Sequence, residues 1–396
     1  MTLNKVKLSD CCIIRPPKSE AKNIIRNDEL VSFVPMSNLG VDTQDLLLDA
    51  DKKLSDVSGS YTYFRDNDVL LAKITPCFEN GKLGIPKGLT NGIGFGSSEF
   101  IVFRSKGDIV PEYLYYFLLQ QSFIDAGKSL MTGAVGHKRV SKEYIENSEI
   151  PLPSSETQKA IVAKLDQVFA DIEIAKANAE QNLENARELF ESYLSQIFSQ
   201  CDNWKITTLG GIAEISSGGT PRKSTKEFWD GDIAWYSSGE LNDLYTQESK
   251  EKITNEGLKG SNAKLFPKGS LLIGMYDTAA LKMSILDRDG TFNQAVVGVK
   301  PNDNINLEFI LHSINSIKPK LLQQRSGVRQ QNLNQSKIKN IPIKLPSFEK
   351  QDEVVVLLKS ISDECDNLSR IYTNKIENLE ELKQSILQKA FNGELA

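Results

Sequence analysis

Three polar loops carry the side chains with the clearest chemistry in this 396-residue sequence. Arginine and lysine contact phosphates, while arginine on guanine and glutamine on adenine give bidentate readout of base edges. The residues that we expect to contact double-stranded DNA are Lys138, Arg139, Arg222, Lys223, Arg325, Arg329, Gln330 and Gln331. The alternative interpretation is that these are ordinary solvated loops.

Candidate catalytic and cofactor motifs do not have the required spacing. Gly127–Ser129 resembles the end of a phosphate-binding loop, but Ser122 occupies the position of the required upstream glycine. The glycine-rich segment Asn91–Ser97 lacks dinucleotide-binding spacing and precedes a strand, not a helix. A metal-nuclease set can be formed only from a combination that charged loops often contain by chance, namely Asp232, Glu248 and Lys250. We therefore expect no catalytic residue, no metal and no cofactor in this chain.

Composition narrows the class of protein further. The sequence has only two histidines, which makes a histidine-based metal site improbable, and its five cysteines lack metal-type spacing. We expect reduced thiols in a cytoplasmic protein, with no signal peptide and no membrane span. The net charge of the whole chain is −5. The two helical segments are acidic, with −5 in residues 151–203 and −4 in residues 346–396. The segments outside them carry −1 in residues 1–150 and +5 in residues 204–345. This distribution suits an acidic spacer that joins two lobes able to bind DNA.

Two stretches of the sequence repeat each other and must position these loops. The segment that begins at Ile150 matches the one that begins at Ile343, with a constant offset of 193 residues (351 − 158 for the paired glutamines). A period of about half the chain indicates a tandem duplication and not a solenoid. In the first copy, Ser154 or Ser155 can cap a helix, and Glu156 suits its positive end.

Each copy continues as an amphipathic helix of about 40 residues, or roughly 60 Å. Apolar residues recur in alternating steps of three and four, with no glycine or proline among them. The residues assigned to this apolar stripe, and to helix or partner contact, are Ile161, Leu165, Val168, Ile172, Leu189, Val354, Leu358, Ile361, Leu368 and Leu382. The copy is the obvious packing partner; the alternative is that each helix packs separately on its own domain.

The segments outside the helices also repeat in order. In the first of these segments, residues 1–150, we expect short strands within Phe64–Pro76 and Gly94–Arg104. We also expect a helix that begins at proline and covers Pro111–Asp125. Matching strands, a matching helix at Leu307–Ile317 and a matching basic loop follow in the second. We therefore expect an α+β fold in which residues 1–150 and 204–345 form two similar lobes, and residues 151–203 and 346–396 form the two long helices.

Longer motifs in both halves carry a family resemblance. The stretches concerned are SGGTPRKSTKEFWDGDIAWYSSGEL, LFPKGSLLIGMY, FNQAVVGVKP and LPSFEKQDEVV in the second half, and VSFVPMSNLG, DVLLAKITPCFENGK, GIGFGSSEFIVFR and IPLPSSETQKAIV in the first. Over nearly its whole length the chain resembles the specificity subunit of type I restriction-modification enzymes. The first half departs from the pattern because it lacks the GGTP and FWDG stretch.

The resemblance implies a non-catalytic DNA-recognition subunit. Two target recognition domains, joined by an antiparallel coiled coil with a pseudo-two-fold axis, would each read one half of a bipartite, asymmetric DNA target. Two methyltransferase subunits, which bind S-adenosylmethionine, and ATP- and magnesium-dependent restriction-translocase subunits would dock on it. Similar two-domain subunits also serve systems in which modification and restriction are fused in one partner chain. The alternatives from other classes are a nuclease or methyltransferase that acts alone and a purely structural coiled-coil scaffold.

Overall fold

The structure is a computed structural model that describes residues 4–395, apart from residues 42, 135, 201–202 and 324–332. The chain divides into two compact units. The first comprises residues 1–180 and 374–396, and the second comprises residues 181–373. Each unit therefore contains one lobe together with part of each long helix.

The first lobe is an α+β arrangement of short elements. Its strands are β1 (Lys5–Lys7), β2 (Cys12–Ile14), β3 (Leu30–Val34), β4 (Asp51–Lys53), β5 (Thr62–Arg65), β6 (Val69–Ala72), β7 (Leu83–Gly84), β8 (Ile93–Gly96), β9 (Phe100–Ser105) and β10 (Glu149–Pro151). Its helices are α1 (Leu8–Cys11), α2 (Ser19–Ile24), α3 (Leu54–Val57), α4 (Pro111–Leu118), α5 (Gln121–Ser129) and α6 (Lys142–Asn147).

These strands form two four-stranded sheets with the orders β2-β9-β6-β7 and β4-β3-β8-β5. The pair β3–β8 is parallel, whereas the other pairs of these sheets are antiparallel. All four residues of β6 are buried, so its unbroken apolar run is that of a central strand with both faces covered. The separate pair β1–β10 brings the start of the lobe beside the entry to the first long helix.

The second lobe repeats this plan. Its strands are β11 (Lys205–Thr208), β12 (Ile215–Ser217), β13 (Trp229–Tyr236), β14 (Glu251–Ile253), β15 (Leu271–Gly274), β16 (Met283–Ile285), β17 (Gly290–Phe292), β18 (Val296–Val299) and β19 (Pro342–Leu345). Its helices are α8 (Leu209–Ile212), α9 (Asn255–Lys259), α10 (Leu307–Gln323) and α11 (Gln335–Lys339). The long helices are α7 (Ser155–Ser199) and α12 (Phe348–Phe391).

Sheet topology supports the predicted duplication of whole lobes. The order β12-β18-β15-β16 corresponds to β2-β9-β6-β7, and β14-β13-β17 corresponds to β4-β3-β8. The parallel pair recurs as β13–β17, and the outer pair recurs as β11–β19. Among the described residues, β5 has no counterpart in the second lobe. The mixed α/β fold class predicted from the sequence is confirmed.

The predicted helix from Pro111 to Asp125 is wrong in its middle. It begins at Pro111 as expected, but α4 ends at Leu118 and α5 starts anew at Gln121. Gln120 between them is extended, with ψ of 132°, so the helical hydrogen bonding stops there. The apolar periodicity continues across the break because residues of both helices pack into the same core, and Phe117 and Phe123 contact each other across it.

The first long helix begins as predicted, since Ser154 accepts a hydrogen bond from the backbone N–H of Thr157 at 3.2 Å. Ile161, Leu165 and Ile172 are buried in the first unit, and Val354 and Leu358 are buried in the second. Three further predicted stripe residues are half-buried, namely Val168, Ile361 and Leu368. No helix in the described part of the chain combines the length and apolar character needed to cross a membrane.

Leu189 and Leu382 were assigned to the wrong face. They are 37% and 46% exposed, and they occupy equivalent positions of the two repeats. The prediction placed Leu189 on the packed stripe, whereas the packed face runs from Ala186 to Phe190, four residues further on, and then to Leu194. The assignment of Leu189 and Leu382 to the packed stripe is therefore wrong, and a role in contact with a partner stays a prediction.

The two long helices run antiparallel where they pack. In the first unit Glu173 contacts Lys383 and Lys176 contacts Glu380, so rising numbers on one helix face falling numbers on the other. In the second unit Cys365 lies beside the backbone of Phe190, and residues 194 and 198 share a cluster with residues 354 and 358. Both units thus contain the antiparallel packing that the family resemblance implied.

Each long helix ends on the lobe of the other repeat. Phe391 packs on Tyr113 of the first lobe, with ring centroids 4.8 Å apart. Phe198 packs on Phe309 of the second lobe, with ring centroids 5.3 Å apart. Burial of aromatic side chains of this size contributes strongly to stability. The similar ends of the two long helices therefore pack on opposite lobes.

Candidate nucleic-acid interface

Lys138 and Arg139 lie in an exposed loop that is attached to the end of a central strand. The backbone of Arg139 pairs with that of Thr132, which closes the loop into a narrow turn. Thr75 N–H donates to the carbonyl of Lys138 at 3.0 Å, and Val140 N–H donates to the carbonyl of Lys73 at 2.9 Å. The loop is therefore fixed at its base beside β6, while the Lys138 side chain stays exposed.

Arg139 is held by a carboxylate. Its Nε and Nη2 donate to the two carboxylate oxygens of Glu99 at 2.9 and 2.7 Å, and its Nη1 donates to the carbonyl of His137 at 3.2 Å. The bidentate geometry fixes the orientation of the guanidinium plane. The same hydrogen bonds hold the pKa of Glu99 below its ordinary range, so this carboxylate stays charged near neutral pH.

Two more cations lie at this site that the sequence reasoning missed. Lys73 donates to the carbonyl of Ser98 at 2.9 Å and lies 3.7 Å from Glu99. Burial, and then the charge of Arg15, lowers the pKa of Lys73. The four cations at this site are therefore Arg15, Lys73, Lys138 and Arg139. Arg15 follows β2 and Lys73 follows β6, and only the sheet topology brings them together.

The second lobe repeats the attachment of this loop. Leu333 N–H donates to the carbonyl of Met275 at 3.1 Å, as Val140 N–H does to Lys73. Met275 follows β15 as Lys73 follows β6, so the two loops end at equivalent points of the two lobes. The four residues predicted to contact DNA here lie outside the described residues; they are Arg325, Arg329, Gln330 and Gln331.

Lys223 lies over an aromatic surface in the second lobe. Its Nζ is 3.7 Å from the centroid of Trp229 and 5.1 Å from that of Trp235, and it pairs with Glu251. The indole N–H of Trp229 donates to the carbonyl of Arg222 at 3.3 Å, which fixes the backbone beside the exposed Arg222 side chain. Arg222 and Lys223 therefore lie together, on a loop before β13 and not on the loop that corresponds to Lys138.

The glycine motifs that resemble phosphate loops are packing positions. A Cβ on Gly127 would lie 2.5 Å from the ring of Phe78, and one on Gly94 would lie 2.1 Å from the ring of Phe64. Of the charged set considered for a nuclease, Glu248 pairs with Lys252 at 3.0 Å. In the described ranges, no three histidine, cysteine, aspartate or glutamate residues are grouped so as to hold a metal ion.

Two buried glutamines attach the lobes to the long helices, a role that the sequence reasoning did not assign. Gln158 accepts from Val110 N–H at 2.8 Å and donates to the carbonyls of Asp108 and Pro153, both at 2.9 Å. Gln351 makes the same three bonds in the second unit, with Asn306, Asn304 and Pro346. Both side chains are fully buried. Their repetition at the constant offset of 193 residues (351 − 158) was the sequence signal from which this shared role could have been inferred.

Comparison with known proteins agrees with this architecture. The chain is 34% identical over 172 residues to the EcoAI type I restriction enzyme specificity subunit of Escherichia coli, covering 43% of this chain and 29% of that protein. It is 27% identical over 293 residues to the EcoR124I/EcoR124II specificity subunit of Escherichia coli, covering 69% of this chain and 67% of that protein. The match thus spans less than a third of the EcoAI relative.

A solved structure of similar fold comes from work on complex assembly and conformational transition of the type I R-M system. Its TM-score is 0.78 at 19% identity, with both chains covered in full. The family model for the type I restriction modification DNA specificity domain matches residues 2–185 and 201–378, one match for each half of the duplication. The chain therefore belongs to the type I restriction modification DNA specificity domain family and carries two such domains in tandem.

Proposed function

We propose that this chain is the DNA-reading subunit of a type I restriction-modification system and is not itself catalytic. Each lobe reads one half of a bipartite, asymmetric target in double-stranded DNA. The long helices set the separation of the half-sites and dock two methyltransferase subunits and the restriction-translocase subunits. S-adenosylmethionine, ATP and magnesium are bound by those partners and not by this chain.

One observation carries the proposal. Both lobes attach a loop at the same point of an equivalent sheet, through Val140 on Lys73 and through Leu333 on Met275. In both lobes the sequence of that loop is rich in arginine, lysine or glutamine. Two such loops on one duplicated frame are suited to two separate half-sites, because each can contact a major groove with its own set of side chains.

The experiment is a genome-wide map of methylated bases in a strain that carries the partner subunits with or without this chain. The proposal expects methylation at one bipartite sequence only when the chain is present. Methylation or cleavage of DNA by the purified chain alone would support an enzyme instead. Absence of sequence-specific DNA protection by the chain with its methyltransferase partner would support a scaffold.

A further inference from the structure

The ends of the two long helices do not distinguish one repeat from the other. Each helix begins with a fully buried glutamine that bonds to its own lobe. Each finishes with a phenylalanine, Phe198 or Phe391, that packs on an aromatic ring of the other lobe. A second copy of the same helix would offer the same groups to the same positions. The choice of partner must therefore depend on residues between the ends.

Two ion pairs that join α7 to α12 lie between these ends in the first unit. In one pair the acidic residue is on α7, and in the other it is on α12. The side chain of Lys383 is only 6% exposed, and its Nζ lies 3.1 Å from Oε1 of Glu173 and 5.5 Å from the ring centroid of Phe169. Lys176 forms an ion pair with Glu380 one turn away. A charge as buried as that of Lys383 is tolerated only when a partner compensates it.

The duplication does not conserve these four side chains. At the offset of 193 residues (351 − 158), the positions of Glu173, Lys176, Glu380 and Lys383 are occupied in the other repeat by Asp366, Ser369, Arg187 and Phe190. The buried lysine of one repeat is thus a phenylalanine in the other. Phe190 packs against the core of the second unit, and Cys365 lies beside its backbone.

Pairing a helix with its own copy would lose these contacts. If two first-repeat helices paired in the same antiparallel register, Lys176 would face Arg187 and Glu173 would face Phe190. Like charges in close contact oppose association, and polar or charged positions in a helix pair are known to determine which helices pair. A pair of second-repeat helices would keep Lys383 opposite Asp366 but would place Glu380 opposite Ser369.

We propose that the ion pairs Glu173–Lys383 and Lys176–Glu380 select pairing between the two repeats of one chain over exchange with the same repeat of a second copy. This selection goes beyond DNA reading. It determines that the paired helices hold together the two different lobes of one chain and not two identical lobes from two chains. Exchange between two copies would produce dimers whose paired helices come from identical repeats.

The test refolds the full-length chain from denaturant and measures its dimer fraction by light scattering at several concentrations. The variant Glu173→Lys places two lysines together in the intended pair but faces Phe190 in the exchanged pair. We expect its dimer-to-monomer ratio to rise on the order of tenfold, because close charge pairs couple strongly. Adding Lys383→Glu restores an ion pair and should return the ratio to that of the unchanged chain.

A second variant removes the difference between the repeats without relying on a buried charge. The changes Lys383→Phe and Glu380→Arg give the second repeat the residues of the first, and the dimer ratio should rise here too. The proposal is overturned if both variants keep the dimer ratio of the unchanged chain. It is also overturned if Glu173→Lys raises that ratio but Lys383→Glu does not reverse the change.

Discussion

Lys138 and Arg139 are neighbours in sequence, but their side chains are held differently. Arg139 donates from the Nε–Nη2 edge of its guanidinium to both carboxylate oxygens of Glu99, and its Nη1 donates to the carbonyl of His137. Lys138 is exposed and forms no ion pair within the described part of the chain. A phosphate would have to displace a carboxylate to bind the Nε–Nη2 edge of Arg139, whereas it could bind Lys138 directly.

Lys138→Ala should weaken binding to cognate DNA and lower the steepness of its salt dependence by about one, since one phosphate contact is lost. The measurement is a titration of DNA binding by the assembled complex at several salt concentrations. Lys5→Ala is the matched control, because Lys5 is an exposed lysine of the same lobe in β1, beside the long helix. Equal salt slopes for Lys138→Ala and the control would remove Lys138 from the interface.

His312 gives the second unit a pH dependence. Its Nδ1 is buried and has no hydrogen-bond partner among the described residues. Burial lowers the pKa of His312 below its ordinary value of 6.5, although the charge of Glu308 opposes this. On acidification the unfolded chain therefore takes up the proton first, so stability is full above about pH 6.5 and declines as the pH falls below it.

His312→Phe should flatten this dependence, because phenylalanine keeps an aromatic ring beside Phe190 and does not titrate. The measurement is the thermal midpoint of the second unit at steps between pH 7 and pH 5. His137→Phe serves as the control, since His137 is exposed. An unchanged pH slope in His312→Phe would show that other groups cause the decline.

At the scale of the element, the duplicated glutamines make the joint between lobe and helix sensitive to a single change. Gln158→Leu fills similar space but leaves one backbone N–H and two carbonyls of the joint without partners. We expect the free energy of unfolding of the first unit to fall by about 2 kcal/mol or more. Urea denaturation followed by circular dichroism measures it.

Gln167→Leu is the control for this change, because Gln167 lies exposed on the same helix and bonds only to Asp171 one turn away among the contacts described. It should alter the unfolding free energy by no more than about 0.5 kcal/mol. Equal losses for the two variants would contradict a special role for Gln158.

The elements also show where sequence reasoning succeeds. The long helices followed from local signals, since Ser154 caps the first and an apolar stripe continues along both. The break at Gln120 was missed because periodicity does not register a change in backbone direction when both sides share one core. Arg15 and Lys73 were missed because they are 58 residues apart (73 − 15) and meet only through the pairing of β2, β9 and β6.

At the scale of the whole molecule, the long helices are proposed to set the spacing of the two half-sites. Inserting seven residues into both helices, after Glu180 and after Thr373, keeps the heptad pattern and lengthens the pair by about 10 Å. The target spacer should then grow by about three base pairs, since each base pair rises about 3.4 Å. Mapping of methylated sites gives the spacer length directly.

The same insertion in one helix alone is the control, because it displaces the stripe of one helix against the other and should impair folding. A spacer that stays the same length after matched insertion would contradict the proposed role in spacing. A docking role for the helices would then remain.

The central claim is that each lobe reads its own half of an asymmetric target, and replacement of one lobe tests it most directly. Residues 204–345 would be replaced by a second copy of the first lobe, residues 4–150, in a strain that supplies the methyltransferase and restriction subunits. Methylated bases would then be mapped across the genome. The account predicts a symmetric target in which the first half-site occurs twice, in inverted order and at the original spacing. An unchanged asymmetric target, or a new target that contains neither original half-site, would contradict it.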